Sequence, residues 1–359
     1  MASIVSRLSL ALSLIALALA GYSIYQHTQS AMESQPIKAL PAWLQLPTFQ
    51  SANVLSYYPS GRKSSPAGML SDEACVFSAV KEVVDAAIDN ETRMGASLIR
   101  LFFHDCFVDG CDAGLLLNDT ATFTGEQTAF GNLNSVRGFE VIEQAKQNAV
   151  AKCADTPVSC ADILSIAARD SFERFSGATY TVTLGRLDAR TANLTGANTQ
   201  LVGPSENLTE QVRKFGIKGF NERELVALLG SHTLGFARCP VLCDNRNINP
   251  VRVPGLQCNC PVTNTDPGLV GLDPTPDTFD QRYYSDLVSG QGLLFSDQQL
   301  MNSTTTSDAV TTYRDSIDTF LADFAAAMVK MSNLPPSAGV ELEIRDVCSR
   351  VNDVSVASV

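Results

Sequence analysis

A single, mainly helical domain is the fold class that this chain of 359 residues predicts. Three observations point there. Apolar residues recur at helical spacing from Asp72 onward, only one short stretch alternates as a strand would, and no repeat or clean linker interrupts the chain after residue 50. The length suffices for one large domain with ample core.

The first helical stretch covers 79–104: Val80, Val83, Val84, Ala87, Ile88, then Leu98, Ile99 and Leu101 share a face. It carries Arg100-Leu-Phe-Phe-His-Asp-Cys-Phe-Val-Asp-Gly-Cys111. Asn118–Asn134 is polar and reads as loop. Val136–Lys152 is helical through Val136, Phe139, Ile142, Ala145 and Ala149, and Cys160–Phe175 through Ile163, Leu164, Ala167, Ala168 and Phe172. Tyr180-Thr-Val-Thr-Leu184 is the one strand-like piece. Gly196–Pro204 reads as loop and Leu208–Phe215 as a short helix. Asn221, with Glu224 three positions on, is a helix start signal ahead of Leu225, Val226, Leu228 and Leu229. Gly230 closes that run, which places His232 at its C-terminal end. Arg238–Pro261 is irregular and holds four cysteines, and Ser316–Asn333 is a last amphipathic helix.

Composition narrows the setting. A net charge of −12 and an isoelectric point near 4.7 argue against nucleic acid or an anionic membrane as partner. Arg7 followed by Leu8–Ala20, ending Ala18-Leu-Ala20, reads as a secretory signal over 1–20. The apolar character runs on weakly to Ile24 and Tyr25, so an uncleaved anchor is the alternative, but Ser9, Ser13 and Gly21 dilute it and no stable membrane insertion is expected. Residues 21–52, with Pro36, Pro41, Pro47 and the sole tryptophan Trp43, form a linker or propeptide-like segment, and Ser60–Pro66 a loop. Ten cysteines fit an oxidising compartment, and sequons at Asn90, Asn118, Asn193, Asn207 and Asn302 are compatible with export. With three histidines (His27, His104, His232) and no CxxC pair, a zinc site is not expected.

Two regions carry chemistry. Arg100, Phe103 and His104 sit at i, i+3 and i+4, so a cation, an apolar wall and an imidazole share one helix face. That mixture suits a pocket where a proton is moved and developing negative charge is held. The bland alternative is a structural histidine satisfied by a neighbour. The acidic loop that follows, with Asp105, Asp109 and Asp112 bracketed by Cys106 and Cys111, is either a calcium site or a solvated turn. Leu272–Asp280 is either a second oxygen-rich site or a surface loop stiffened by proline.

Taken together these stretches resemble the class III secretory plant-type haem peroxidases. Arg100–Asp112 is similar to their distal signature and Leu225-Val-Ala-Leu-Leu-Gly-Ser-His232-Thr-Leu-Gly to their proximal one. Ala129–Phe139, Val158–Leu164, Leu184-Gly-Arg186-x-Asp188 and Gly292-Leu-Leu-Phe-Ser-Asp297-Gln also match. The similarity defines a peroxidase domain over 53–354, with a tail at 355–359.

The resemblance implies an all-α fold with haem b between two helical halves, acting as a monomer on hydrogen peroxide and small phenolic reductants. His232 would be the axial iron ligand and Asp297 its hydrogen-bond partner. His104 would shuttle the peroxide proton, Arg100 would stabilise charge, Asn132 would hold His104, and Phe103 would shield the haem. A distal calcium ion would use Asp105, Val108, Gly110 and Asp112, with Glu126 through water. A proximal one would use Thr233, Asp273, Thr275, Thr278 and Asp280. Substrate contact would run through the Val202 carbonyl. The implied disulfides are Cys75–Cys153, Cys106–Cys111, Cys160–Cys348, and Cys239 with Cys260 or Cys258, leaving Cys243 with the remaining one.

Three departures stand out. Gly114 replaces the usual serine of the distal calcium site, the Asp273–Asp280 loop is one residue short, and Leu201-Val202-Gly-Pro204 stands where the family has proline beside the substrate entrance. They motivate an alternative, a secreted calcium-binding glycoprotein on a peroxidase scaffold with reduced activity. A hydrolase using the acidic loops is a third reading, and it lacks ligand histidines.

Overall fold

The computed structural model describes residues 66–153, 156–244, 246–249 and 268–352. The expected leader, the 21–52 segment, the domain's first residues, the tail and His27 lie outside the described residues.

The apolar stripe of the first region forms two helices, α1 (Pro66–Asn90) and α2 (Met94–Asp109). The single run expected over 79–104 is broken at Glu91–Arg93. There Arg137 clamps Glu91 in a bidentate pair of 2.7 and 2.6 Å. Helix α3 (Phe139–Lys152) starts three residues later than the apolar spacing suggested, because Gly138 in the left-handed region (φ 96°) caps it. Helix α4 (Cys160–Ser176) opens on Ser159, whose side chain accepts from Asp162 N–H. Helix α1 packs on α3 and α4, and α2 on α4. Leu98, Leu101 and Phe102 are fully buried in this half, each worth roughly 1.5–3 kcal/mol.

Tyr180–Leu184 forms no strand. Its alternation is real, with Tyr180 and Val182 buried and Thr181 and Thr183 exposed, but the segment has no ladder partner among the described residues. The strands lie elsewhere: β1 (Asp188–Ala189) pairs antiparallel with β4 (Leu342–Glu343), and β2 (Phe236–Arg238) with β3 (Leu269–Gly271). Part of the expected 196–204 loop is also helical, as α5 (Leu194–Gln200), because Asn193 accepts from Gly196 N–H at 2.7 Å and anchors the first turn. Helix α6 (Leu208–Ile217) has an Asn207 cap, and α7 (Glu222–Leu229) carries the full capping box of Asn221 and Glu224. Helix α8 (Cys239–Leu242) is a single turn.

The second half is completed by α9 (Arg282–Val288), α10 (Phe295–Gln298), α11 (Thr304–Asp315) and α12 (Ile317–Ser332). Helix α7 packs against α11 and α12, and α12 also reaches α2, which joins the halves.

The motif stretches lock to one another. Asp188 accepts from the N–H groups of Cys160, Ala161 and Arg345, so β1 caps α4 and holds the C-terminal strand. Asp162 accepts from Gly185, Arg186 N–H and the Arg186 guanidinium. Disulfides close Cys75–Cys153, Cys106–Cys111 and Cys160–Cys348. Cys243 is also disulfide-bonded, while the pairing of Cys239, Cys258 and Cys260 falls outside the described residues. No described helix is long and apolar enough to cross a membrane.

Candidate active site

The distal side is built on the last two turns of α2. Arg100, Phe103 and His104 do project together, half-buried, while Leu101, Phe102, Asp105 and Cys106 beside them are buried. Phe103 stacks on Phe107 at 4.9 Å and meets the His104 ring edge-on at 5.9 Å. The Arg100 guanidinium donates to Gly131 O at 2.7 Å and Ser135 Oγ at 3.2 Å, which aims it across the site. Burial, with a contribution from Arg93, brings its pKa to about 10, so it stays charged at neutral pH.

His104 Nδ1 lies 2.5 Å from Asn132 Oδ1. The tautomer follows from the amide. Asn132 Nδ2 donates to Glu126 O at 2.9 Å, so Oδ1 must be the atom facing the ring, and Nδ1 carries the proton. Nε2 is then a free lone pair. Burial first, then Arg100, hold the imidazole well below the ordinary histidine pKa, with Asn132 opposing them. A neutral ring with an open Nε2 is what a proton acceptor requires.

The proximal side sits at the end of α7. After Gly230 the chain tightens into a 3₁₀ turn, Gly230–Thr233, which presents His232. His232 Nδ1 pairs with Asp297 Oδ1 at 2.8 Å, and Tyr283 Oη donates to the same oxygen at 3.1 Å. Asp297 is buried, so the imidazole is held in one orientation with Nε2 outward. His232 lies close enough to His104 to act on it electrostatically. A haem iron could be held by the Nε2 of His232, with the Nε2 of His104 available beside it as a proton acceptor.

Two oxygen-rich clusters adjoin the histidines. Next to His104, Asp105 accepts from Ala113 and Leu115 N–H, Asp112 from Gly114 N–H, and Glu126 from Asn193 N–H. Burial raises all three carboxyls, Asp105 well above the usual range, Asp112 to about 6 and Glu126 to about 8. A buried acid cluster in this state is what a divalent cation neutralises. Gly114 shapes it: a Cβ there would stand 2.9 Å from Glu126 Oε1 and 3.0 Å from Asp112 Oδ1. The Lys218 ammonium donates to the Val108 carbonyl, leaving that oxygen a second lone pair.

Next to His232, Thr233 Oγ1 donates to Asp273 at 2.8 Å and Asp280 at 3.2 Å, and Thr275 Oγ1 lies 3.3 Å from both carboxylates. Burial lifts Asp273 to about 6. Thr278 is exposed, and its N–H donates to Thr275 O. Among the described residues no three His, Cys, Asp or Glu side chains converge tightly enough to ligate a metal by themselves. A cation at either cluster would therefore need carbonyl or hydroxyl oxygens as well, a mixture calcium accepts.

Val202 is half-buried against the core, on a loop held by Lys214, which donates to Leu201 O at 2.6 Å and also pairs with Glu206. That loop is tied to the Asp297 turn through Ser296 N–H to Pro204 O at 3.0 Å. The sequence does not single out Tyr283, Ser135 or Lys218, and marks Asn193 only as a sequon. Their roles come from contacts across 14 to 110 residues of chain, which no local spacing signals.

Comparison with known proteins agrees with the geometry. The peroxidase family model matches residues 80–316. The chain is 70% identical over 356 residues to an anionic peroxidase of Ipomoea batatas, covering 99% of this chain and 96% of that protein. It is 66% identical to a neutral peroxidase of the same plant, over 98% of this chain and all of that one. A suberization-associated anionic peroxidase of Solanum lycopersicum is 56% identical, with 98% of each chain covered. These relatives are named as peroxidases, which disfavours the reading as a scaffold of reduced activity. The chain belongs to the peroxidase family, among the class III plant-type haem peroxidases, the enzymes that reduce hydrogen peroxide at the expense of organic donors.

Proposed function

We propose that this peroxidase works with His104 as its proton shuttle, Arg100 as its charge-stabilising group and His232 as its haem ligand, oxidising small phenols. The observation that carries this is that each of the two imidazoles is fixed at Nδ1 by a side-chain oxygen, which leaves its Nε2 to act. Haem b, when bound, supplies the redox-active iron at which peroxide is reduced and from which donors are oxidised one electron at a time.

The chain's own residues do the rest. His104 Nε2 takes a proton from the incoming peroxide and returns it to the departing oxygen, which leaves as water. Asn132 keeps the N–H on Nδ1 throughout. Arg100 lies one turn away, anchored on Gly131 and Ser135, and stabilises the charge that builds as the O–O bond breaks. Asp297 accepts the other N–H of His232 and makes it a stronger donor to iron. Phe103 fills the distal face and keeps water from it.

Calcium deepens this reading. The distal ion would be held by Asp105, Asp112 and the Val108 and Gly110 carbonyls, and the proximal ion by Thr233, Asp273, Thr275 and Asp280, with Thr278 through its backbone or side chain. Glu126 Oε1 fills space that a side chain at 114 would claim, so we assign Glu126 as the replacement for the missing serine oxygen. Export, to the wall or the vacuole, accords with the leader-like start and the cysteine content. Donor access would pass the Val202 carbonyl.

The test is a pair of substitutions. His104→Ala should keep haem and slow the reaction with peroxide by at least about 10²- to 10⁴-fold, the usual worth of a positioned proton shuttle. His232→Ala should lose or loosen haem. Peroxide reaction at the parent rate in the His104 variant would overturn the assignment.

A further inference from the structure

Beyond the haem cleft, a line of phenol rings leads from the proximal histidine to the surface. The His232 ring lies 6.2 Å from that of Tyr283, Tyr283 5.1 Å from Tyr284 on the same helix, and Tyr284 5.3 Å from Tyr313 on α11. All three tyrosines are buried. Such spacings also occur in ordinary aromatic cores. The hydroxyl partners here differ in a directional way. Tyr283 Oη donates to Asp297, already engaged by His232. Tyr284 Oη donates at 3.0 Å to the Val226 carbonyl, which cannot take a proton. Tyr313 Oη donates at 2.8 Å to Asp323 Oδ2, a carboxylate one-third exposed. The Arg223 guanidinium lies over the Tyr313 ring at 5.2 Å and also pairs with Asp323. Tyr313 therefore sits one side chain below the surface and has a proton acceptor that reaches water.

We propose that Tyr283, Tyr284 and Tyr313 form a relay that gives this peroxidase a second point of electron entry, at Arg223 and Asp323, for phenolic reductants too large to enter the haem cleft. The proposal rests on the peroxidase reading above. Tyr313 yields one electron, through Tyr284 and Tyr283, to the haem group oxidised by peroxide, and passes its phenolic proton to Asp323. The neutral phenoxyl left on Tyr313 takes one electron from an external phenol and recovers its proton from Asp323. The external phenol becomes a phenoxyl radical and releases its own proton to water. Tyr284, lacking a base, conducts and does not hold the oxidised state, whereas Tyr313 does.

The test uses the haem-loaded enzyme. Peroxide is added without reductant in the presence of a nitroso spin trap, and the adduct is located by peptide mass spectrometry. In parallel, oxidation of a free small phenol is compared with that of the same phenol grafted on beads. The adduct should fall on Tyr313. Tyr313→Phe should abolish it and slow bead-bound oxidation about tenfold, with free-phenol oxidation within about twofold of the parent. Asp323→Asn keeps an acceptor but removes the base, and should slow the bead reaction likewise; it decides the matter if the tyrosine variant does not fold. An adduct absent from Tyr313, or unchanged bead oxidation in the folded variants, overturns the relay alone. A parent enzyme that fails to oxidise the free phenol overturns the peroxidase reading as well.

Discussion

At Asn132 two hydrogen bonds decide how His104 behaves, since the amide N–H given to Glu126 O turns Oδ1 toward the ring. Replacing Asn132 by Ala removes the acceptor and frees the ring to rotate. Stopped-flow mixing with peroxide should show a rate lower by about 10²-fold, a smaller loss than that of the imidazole itself. Asp170 offers a test of a different kind. It is fully buried, Arg169 serves Oδ1, and Oδ2 has no partner among the described residues. Burial raises its pKa from the usual 3.8 to about 6. The folded state thus holds this proton more tightly than the unfolded one, so its contribution is neutral below pH 4 and turns destabilising as pH rises to 6. Unfolding of Asp170→Asn across this range should lack a penalty of about 3 kcal/mol that the parent acquires by pH 7; equal pH slopes in the two proteins would refute it. At this scale the shared face of Arg100 and His104 is legible from their i, i+4 spacing. The burial of Asp170 and the clamp of Lys218 on Val108 are not, since both depend on what packs over them.

The elements show why periodicity worked where it did. Helices α3 and α12 bury one stripe each, α4 and α7 are buried on nearly every side over Cys160–Ala168 and Leu225–Leu229, and Asn221 with Glu224 marks the start of α7 by a local mechanism. Helix α5 is not legible in the sequence because Leu-Thr-Gly-Ala-Asn-Thr-Gln has weak helix propensity, which is overridden when Asn193 bonds Gly196, Asp109 and Glu126 at once. The short helices α9 and α10 carry too few turns for a clear stripe, and α11, though 12 residues long, opens on Thr304-Thr-Thr-Ser and offers few apolar residues to mark one. Two predictions belong to α7, the element that presents His232. Asn221→Ala should cost about 1 kcal/mol in denaturant unfolding. Gly230→Ala should cost more, on the order of 1–3 kcal/mol or above, and loosen haem, because the new Cβ would lie 2.1 Å from Tyr284 Oη and 2.6 Å from Phe320. A Gly230→Ala protein with parental Tm and haem content would show that the turn has slack the packing does not suggest.

Across the whole molecule, the two clusters proposed to hold calcium each adjoin a histidine proposed to work at the haem, Asp105 beside His104 and Thr233 beside His232. Each ion would pin a helix end next to the haem. Without cations the carboxyls of Asp105, Asp112 and Glu126 are crowded in a buried site. Chelation should therefore lower Tm at neutral pH and disturb the haem spectrum, and added calcium should restore both; calorimetry with and without chelator reads the first. The disulfide Cys160–Cys348 spans 188 residues, so reducing it should cost about 5 kcal/mol in the chain-entropy view. The exposed sequons Asn90, Asn118 and Asn302 suit glycan attachment better than Asn193, whose amide donates to Asp109 and whose oxygen caps α5. The most direct measurement is the visible spectrum of the purified protein, alone and after one equivalent of peroxide. A Soret band that vanishes in His232→Ala, and that shifts with peroxide quickly in the parent but slowly in His104→Ala, is the expected result. A protein without a Soret band, or one whose band is indifferent to both histidines, would contradict the placement of haem between them.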